Sequence, residues 1–184
     1  MINSALRHSK TSRRSGFTLA EVLVTLAIIA ILAAVLLPAL NSQISKGESG
    51  RVVSDLGAIQ SAVNGFVSDV HRYPRTAAQL TTKPLAAELD INGAAYNTLA
   101  TKWKGPYLSK VASSTGMGGS IVQQFTNVAD GTSNYLQVSL TGIPAADFNS
   151  LDEILDDGNT GALTGSLRQP AASTTINFFA VPIQ

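Results

Sequence analysis

Glu21 is the only carboxylate among the first forty-seven residues, and it heads a run of nineteen, Val22 to Leu40, in which nothing is charged and only Thr25 is polar. An ionised carboxylate inside a bilayer costs ~2.5–3.5 kcal/mol even on lenient scales. Glu21 is therefore tolerable at a membrane interface or beside a cation. A second group of chemically capable residues lies near the other end, Asp152-Glu153-Ile154-Leu155-Asp156-Asp157-Gly158-Asn159-Thr160-Gly161. Oxygen ligands around a glycine turn suit Ca²⁺, which takes six to eight oxygens, and Asp156, Asp157 and Asn159 are the candidate ligands. The EF-hand spacing is absent, and a turn flanked by helix-end carboxylates explains the same residues. The sequence leaves both readings open.

The remaining candidates point away from catalysis. Asp156 and Asp157 as an acid/base pair have no base, nucleophile or oxyanion donor tied to them. His71, next to Arg72, reads as a residue that compensates a helix end. Gly116-Met117-Gly118-Gly119 lacks the Gly-Lys-Ser/Thr that completes a phosphate loop. Lys102-Trp103-Lys104 has the residue types of a nucleic-acid stacking patch, but a core aromatic between solvated lysines is the simpler reading. No enzyme emerges, and no cofactor is required.

Composition narrows the field further. The 184 residues fit one ordinary domain. Hydrophobic residues make up 45% and charged residues only 14%, against a usual quarter. There is no cysteine and there are only two histidines, His8 and His71. Disulfide frameworks, thiol nucleophiles and thiolate metal sites are excluded. The net charge of +1 gives no reason to expect a nucleic-acid binder.

The elements that must hold these residues begin with the apolar run. As a helix, nineteen residues extend ~28 Å, close to the ~30 Å of a bilayer core. Residues 1–16 carry Arg7, Lys10, Arg13 and Arg14 and no acid, so the N-terminus belongs in the cytoplasm and the rest of the chain across the membrane. A secretory signal would have a shorter apolar region and a small-residue cleavage site after it. A plain signal anchor fits the length but leaves Glu21 unexplained.

Arg13-Arg14-Ser15-Gly16-Phe17-Thr18-Leu19-Ala20-Glu21-Val22 resembles the cleavage motif of type IV prepilins and type II secretion pseudopilins, and the likeness is strong over residues 10–45. The resemblance implies cleavage between Gly16 and Phe17 by prepilin peptidase, N-methylation of Phe17, and an assembly role for Glu21. Ala20 departs from the larger aliphatic or proline common at its position. Cleavage would make the Phe17 α-amino group a cation one helical turn from Glu21, or a partner for Glu21 of a neighbouring subunit. A single polar pair that sets register is the best-attested use of buried ions. Removing 1–16 takes four of the thirteen basic residues and none of the twelve acidic ones. Nine against twelve leaves the mature chain at −3.

Past the run, Val52, Leu56, Ile59, Val63, Phe66, Val67 and Val70 recur at three- and four-residue steps, the signature of a helix with one buried face. One long helix over 17–70 is expected, softened at Pro38 and at Gly47 and Gly50, and ended by Tyr73-Pro74. Short helical pieces are expected at Ala77–Leu80 and Pro84–Leu89. Trp103-Lys104-Gly105-Pro106-Tyr107-Leu108 resembles a stretch of the major pseudopilin of type II secretion, with Trp103, Tyr107 and Leu108 as anchors. That subunit carries calcium in a late loop, but the Asp-Pro-Trp-Gly that should follow is missing here. Strands are expected at Ile121–Val128 and Tyr135–Thr141 around the Asp130-Gly131 turn, then at Leu163–Gln169 and Thr174–Val181. A helical turn, Leu151–Leu155, capped by Asn149 or Ser150, separates the pairs. Of Phe178 and Phe179, one should face the helix and the other should face outward.

The expected fold is α+β and pilin-like, a long N-terminal helix packed on a roughly four-stranded antiparallel sheet. The expected parts are a leader (1–16), a membrane and filament-core segment (17–50) and a soluble head (51–184). The resemblance implies a structural subunit of a type IV pilus or type II secretion pseudopilus. It would be anchored in the bacterial inner membrane with its head in the periplasm, then assembled with like subunits by an inner-membrane platform. Membrane lipid is the other expected partner, and nucleic acid is an unsupported one. The alternatives are a minor tip pilin whose head binds DNA or a surface, and a bitopic membrane protein with another periplasmic function.

Overall fold

Leu19–Val70 form one α-helix, α1, in the computed structural model of the chain, which describes residues 16–156, 163–170 and 173–184. The helix runs through Pro38, Gly47 and Gly50 without interruption. The chain divides into two units at Asn41/Ser42. In the first, α1 is long and apolar enough to cross a membrane. Its large side chains are open, Val35 at 71% and Leu26 at 57%. A contiguous apolar surface of this kind needs a lipid or protein cover.

In the second unit α1 becomes the wall of a core. Val52, Leu56, Ile59, Val63, Phe66 and Val70 are all buried, as their spacing requires. The helix stops where His71 adopts a left-handed φ of +57°, ahead of Pro74. A short helix, α2 (Ala78–Thr81), and a 3-10 turn (Asn97–Lys102) follow. The expected helix at Pro84–Leu89 is replaced by turns and a bridge between Leu89 and Ala95. The cause is Asp90, whose Oδ1 accepts from the amides of Asn92 and Ala94 and folds the chain back.

Among the described residues five strands make one antiparallel sheet, one more than expected: β1 (Ser120–Ile121), β2 (Thr126–Asp130), β3 (Ser133–Thr141), β4 (Leu167–Arg168) and β5 (Ile176–Ile183). β3 is central. It pairs with β1 and β2 on one side and β5 on the other, and β4 closes the far edge. The expected strand Ile121–Val128 is split because other backbone takes its hydrogen bonds. Phe125 N–H donates to Arg75 O, and Gln123 O accepts from Ala77 N–H. Leu136, Val138 and Leu140 are buried against the core, with Tyr135, Gln137 and Ser139 on the other face. A register shift after Leu136 puts both Ala180 and Val181 inside. Phe178 is buried, while Phe179 lies on the outer face, beneath Arg168 at 4.3 Å and edge-on to Tyr135.

The expected helical turn at Leu151–Leu155 is the end of a longer helix, α3 (Ala145–Leu155). It starts after Pro144 and has no side-chain cap from Asn149 or Ser150. Proline suits the edge of a helix, where its missing N–H costs nothing. Phe148 and Leu151 then bury at helical spacing.

Candidate functional site

Gly16 and Phe17 lie exposed just ahead of α1, with Phe17 at 90%. Thr18 and Glu21 cap the helix reciprocally. The Thr18 amide and hydroxyl both donate to Glu21 Oε2 at 2.9 Å, and the Glu21 amide donates to Thr18 Oγ1 at 3.2 Å. This is a capping box, which satisfies two otherwise orphan helix donors. Sequence reasoning passed over Thr18, although the Thr-x-x-Glu spacing is its signal. The second carboxylate oxygen, Oε1, takes no donor from the described residues. Phe17, Ala20, Val22, Val24 and Thr25 line an apolar hollow of about 680 Å³ beside the carboxylate. The arrangement offers one oxygen with room for a donor from another molecule, on an otherwise apolar surface.

The acidic cluster divides into separate roles. Asp156 Oδ1 accepts from the Ser166 hydroxyl at 2.5 Å, and Oδ2 accepts from the Leu167 amide at 2.9 Å. Gly165, at φ +85°, leaves no room for a Cβ beside this carboxylate. Asp156 thus ties the end of α3 to β4. Asp157 and Asn159 lie outside the described residues. Asp152, one turn before Asp156, is fully buried, and neither of its oxygens has a partner among the described residues. Burial, with help from Asp156, pushes its carboxyl above the ordinary range. Among the described residues no three His, Cys, Asp or Glu side chains gather as metal ligands.

Trp103 and Tyr107 anchor the loop to α1. Trp103 donates its indole N–H to Gln79 O at 3.1 Å and packs edge-on against Tyr107. Tyr107 in turn meets Phe66. Gly65 allows this approach, since a Cβ there would stand 3.1 Å from the Tyr107 ring. Lys104 pairs with Asp69 at 3.0 Å, and the Tyr107 hydroxyl donates to the same carboxylate at 2.9 Å. Together they hold the Asp69 carboxyl below its usual range, Lys104 contributing most. The stacking patch imagined for Lys102-Trp103-Lys104 is therefore a structural clamp, with one lysine paired and the indole flanked.

Gln79 is the hub that sequence reasoning missed. It is buried, its Oε1 accepts from the Arg75 amide and the Tyr96 hydroxyl, and its Nε2 donates to Glu88 and Leu89 O. Nothing in a lone glutamine on a four-residue helix signals such a role.

Residues 11–37 match the prokaryotic N-terminal methylation motif. The chain is 32% identical over 105 residues to type II secretion system core protein G of Escherichia coli, which covers 53% of this chain and 72% of that protein. It is 40% identical over 78 residues to the protein of the same name from Aeromonas hydrophila, covering 41% and 54%. It is 33% identical over 104 residues to the type IV major alpha-pilin of Moraxella bovis, covering 48% and 65%. The chain spans between about half and about seven-tenths of the length of these relatives. No solved structure matches it.

Proposed function

This chain belongs to the type IV pilin and pseudopilin family, as a structural subunit of a type IV pilus or type II secretion pseudopilus, and we propose that it is cut between Gly16 and Phe17, methylated on Phe17, and drawn from the inner membrane into a helical filament. The observation that carries the reading is Glu21, capped by Thr18 at the head of an exposed and uncharged run. In the membrane, Thr18 satisfies one oxygen of the carboxylate and lipid covers the run. In the filament, like helices replace the lipid, and the new Phe17 amine of a neighbour meets Glu21. That pair neutralises two charges in an apolar bundle and fixes the axial step.

We favour a secretion pseudopilus over a surface pilus. Trp103-Lys104-Gly105-Pro106-Tyr107-Leu108 supports it, as does the likeness to the G proteins. Prepilin peptidase and an inner-membrane assembly platform are the partners this function requires.

For the acidic cluster, the oxygens of Asp156, Asp157 and Asn159 are of the class a calcium ion takes, and Asp152, one helical turn before Asp156 and without a partner among the described residues, is the observation in favour. Asp156 already accepts two hydrogen bonds, so it fits a brace better than a ligand. No step of assembly is routed through an ion.

The test is Glu21→Gln, which keeps shape and removes charge. Breaking one side of a buried pair leaves the other uncompensated, at ~3–5 kcal/mol, enough to collapse an assembly equilibrium. The variant is expected to be cut normally and to stay in the membrane fraction when filaments are sheared and blotted. Wild-type filament yield would remove the carboxylate from the assembly mechanism.

A further inference from the structure

Two hollows in the soluble unit lie on opposite flanks of α1 and carry matching chemistry. One, about 490 Å³, has α1 residues Arg51, Asp55 and Ala58 on one wall and Leu108, Lys110 and Ala112 on the other. The second, about 380 Å³, lies between Lys46 and Ser49 of α1 and Ser150, Glu153 and Ile154 of α3. At ~100° per residue, the first face lies roughly half a turn round α1 from the second. The buried stripe through Val52, Leu56 and Ile59 falls midway between them. The head thus presents two different flanks at one level of the helix.

The flanks complement each other. On the α3 side Ile154 is 48% exposed, an apolar knob beside the exposed Glu153, with Lys46 beyond. On the other side Ala58, Leu108 and Ala112 supply an apolar floor, and Arg51, Lys110 and Asp55 supply the charges. Arg51 is already aimed, donating to Ser114 O at 3.0 Å and standing 3.9 Å from Asp55. Ile154 suits the floor, Glu153 suits Arg51 and Lys110, and Lys46 suits Asp55.

We infer that the α3 flank of one copy docks into the Arg51–Lys110 hollow of the next, as a head-to-head contact in the filament. The inference rests on the subunit reading above and adds the surface by which heads meet. Two different patches on one chain make a heterologous contact, which does not close on two copies and, unless its rotation closes a ring, propagates as an open helix; the filament is the helical case. The contact therefore repeats along the same path as the bundled N-terminal helices. Glu153 and Ile154 are specific to α3, so a relative without this helix would join its heads by other residues.

Cysteine cross-linking tests this directly, because the chain has no cysteine of its own. Ser113→Cys and Ser150→Cys are placed in the full chain singly and together, and cells making filaments are treated with a mild oxidant. The expected result is a ladder of covalent multimers in the double variant, a dimer only when the two single variants are co-expressed, and none with either alone. Sedimenting filaments without a ladder overturn the contact and leave the subunit reading standing. Equal cross-linking by a single variant also overturns it, since that would be a symmetric contact. A wild-type chain that forms no filament overturns both. As a second arm, Glu153→Lys should lower filament yield and Lys110→Glu in the same chain should restore it. Failure of that rescue counts against the charge pairing.

Discussion

Thr18 and Glu21 hold each other at the head of α1, with three hydrogen bonds of 2.9, 2.9 and 3.2 Å between them. The pair gives the carboxylate at the head of the apolar run a partner supplied by its own chain. Thr18→Val removes the hydroxyl and keeps the shape, whereas Thr18→Ser keeps the hydroxyl. Loss of a cap costs ~1 kcal/mol, roughly fivefold in the opening equilibrium. Hydrogen exchange of the detergent-solubilised chain should speed up by about that factor at the amides of residues 18 and 21, the two the box holds, in Thr18→Val, and should be unchanged in Thr18→Ser.

The second unit should stand alone when the first is removed. A fragment from Ser45 keeps the buried face Val52–Val70 and should be soluble and monomeric by light scattering. A fragment from Pro74 loses that face, exposes Leu136, Val138 and Leu140 of β3, and should aggregate. Equal solubility of the two would contradict the role of α1 as the wall of the core.

Gln79→Leu should be costly in that fragment. The change leaves the Arg75 amide without its acceptor and the Tyr96 hydroxyl with only its longer bond to Tyr73 O at 3.4 Å, at ~1–3 kcal/mol for an orphaned buried group. A loss of about 3 kcal/mol would lower Tm by about 10 °C for a unit of this size. Thermal unfolding by circular dichroism reads this, and a shift no larger than for a surface substitution would show that the hub bears little load.

Stability should fall on both sides of a pH optimum. Asp69, through Lys104, and Asp130, through Arg168, are held below the ordinary aspartate value of 3.8. A depressed carboxyl contributes stability above 3.8 that is lost as pH falls through its folded value. Asp152 runs the other way. Its carboxyl is raised by burial and then by Asp156, so its contribution is complete below 3.8 and is lost as pH rises through the raised value. Arg168→Gln should flatten the acid limb, and Asp152→Asn should raise Tm at neutral pH while leaving the acid limb alone. Added calcium is a further arm. A rise in Tm that Asp156→Asn abolishes supports an ion at the cluster, and no rise leaves Asp156 as the brace of β4.

What the sequence made legible was local. The buried stripe of α1 and the alternation of Leu136, Val138 and Leu140 are periodic signals, and periodicity survives folding because each element buries one face. Gly16, Phe17 and Glu21 sit within six residues, so their relationship needs no tertiary knowledge. Elements decided by distant partners were not legible. The strand expected at Ile121–Val128 breaks because Arg75 and Ala77 capture its backbone groups. β4 is two residues long because Asp156, eleven positions earlier than Leu167, sets where it begins. The first half of α3 was not legible because Phe148 is the one large apolar residue between Ala145 and Ser150, too few to show a helical period. The charges of Glu153 and Arg51 look like solvated surface until α1 places them on opposite flanks.

The N-terminus of the processed subunit tests the central claim most directly. Filaments or membranes are purified from cells making the full chain, and the N-terminal peptide is measured by tandem mass spectrometry. Cleavage after Gly16 with one methyl group on the Phe17 amine is the predicted result. A mature pool that retains Met1 and the leader, or that begins anywhere other than Phe17, would contradict the account, because no amine would then stand where Glu21 needs it.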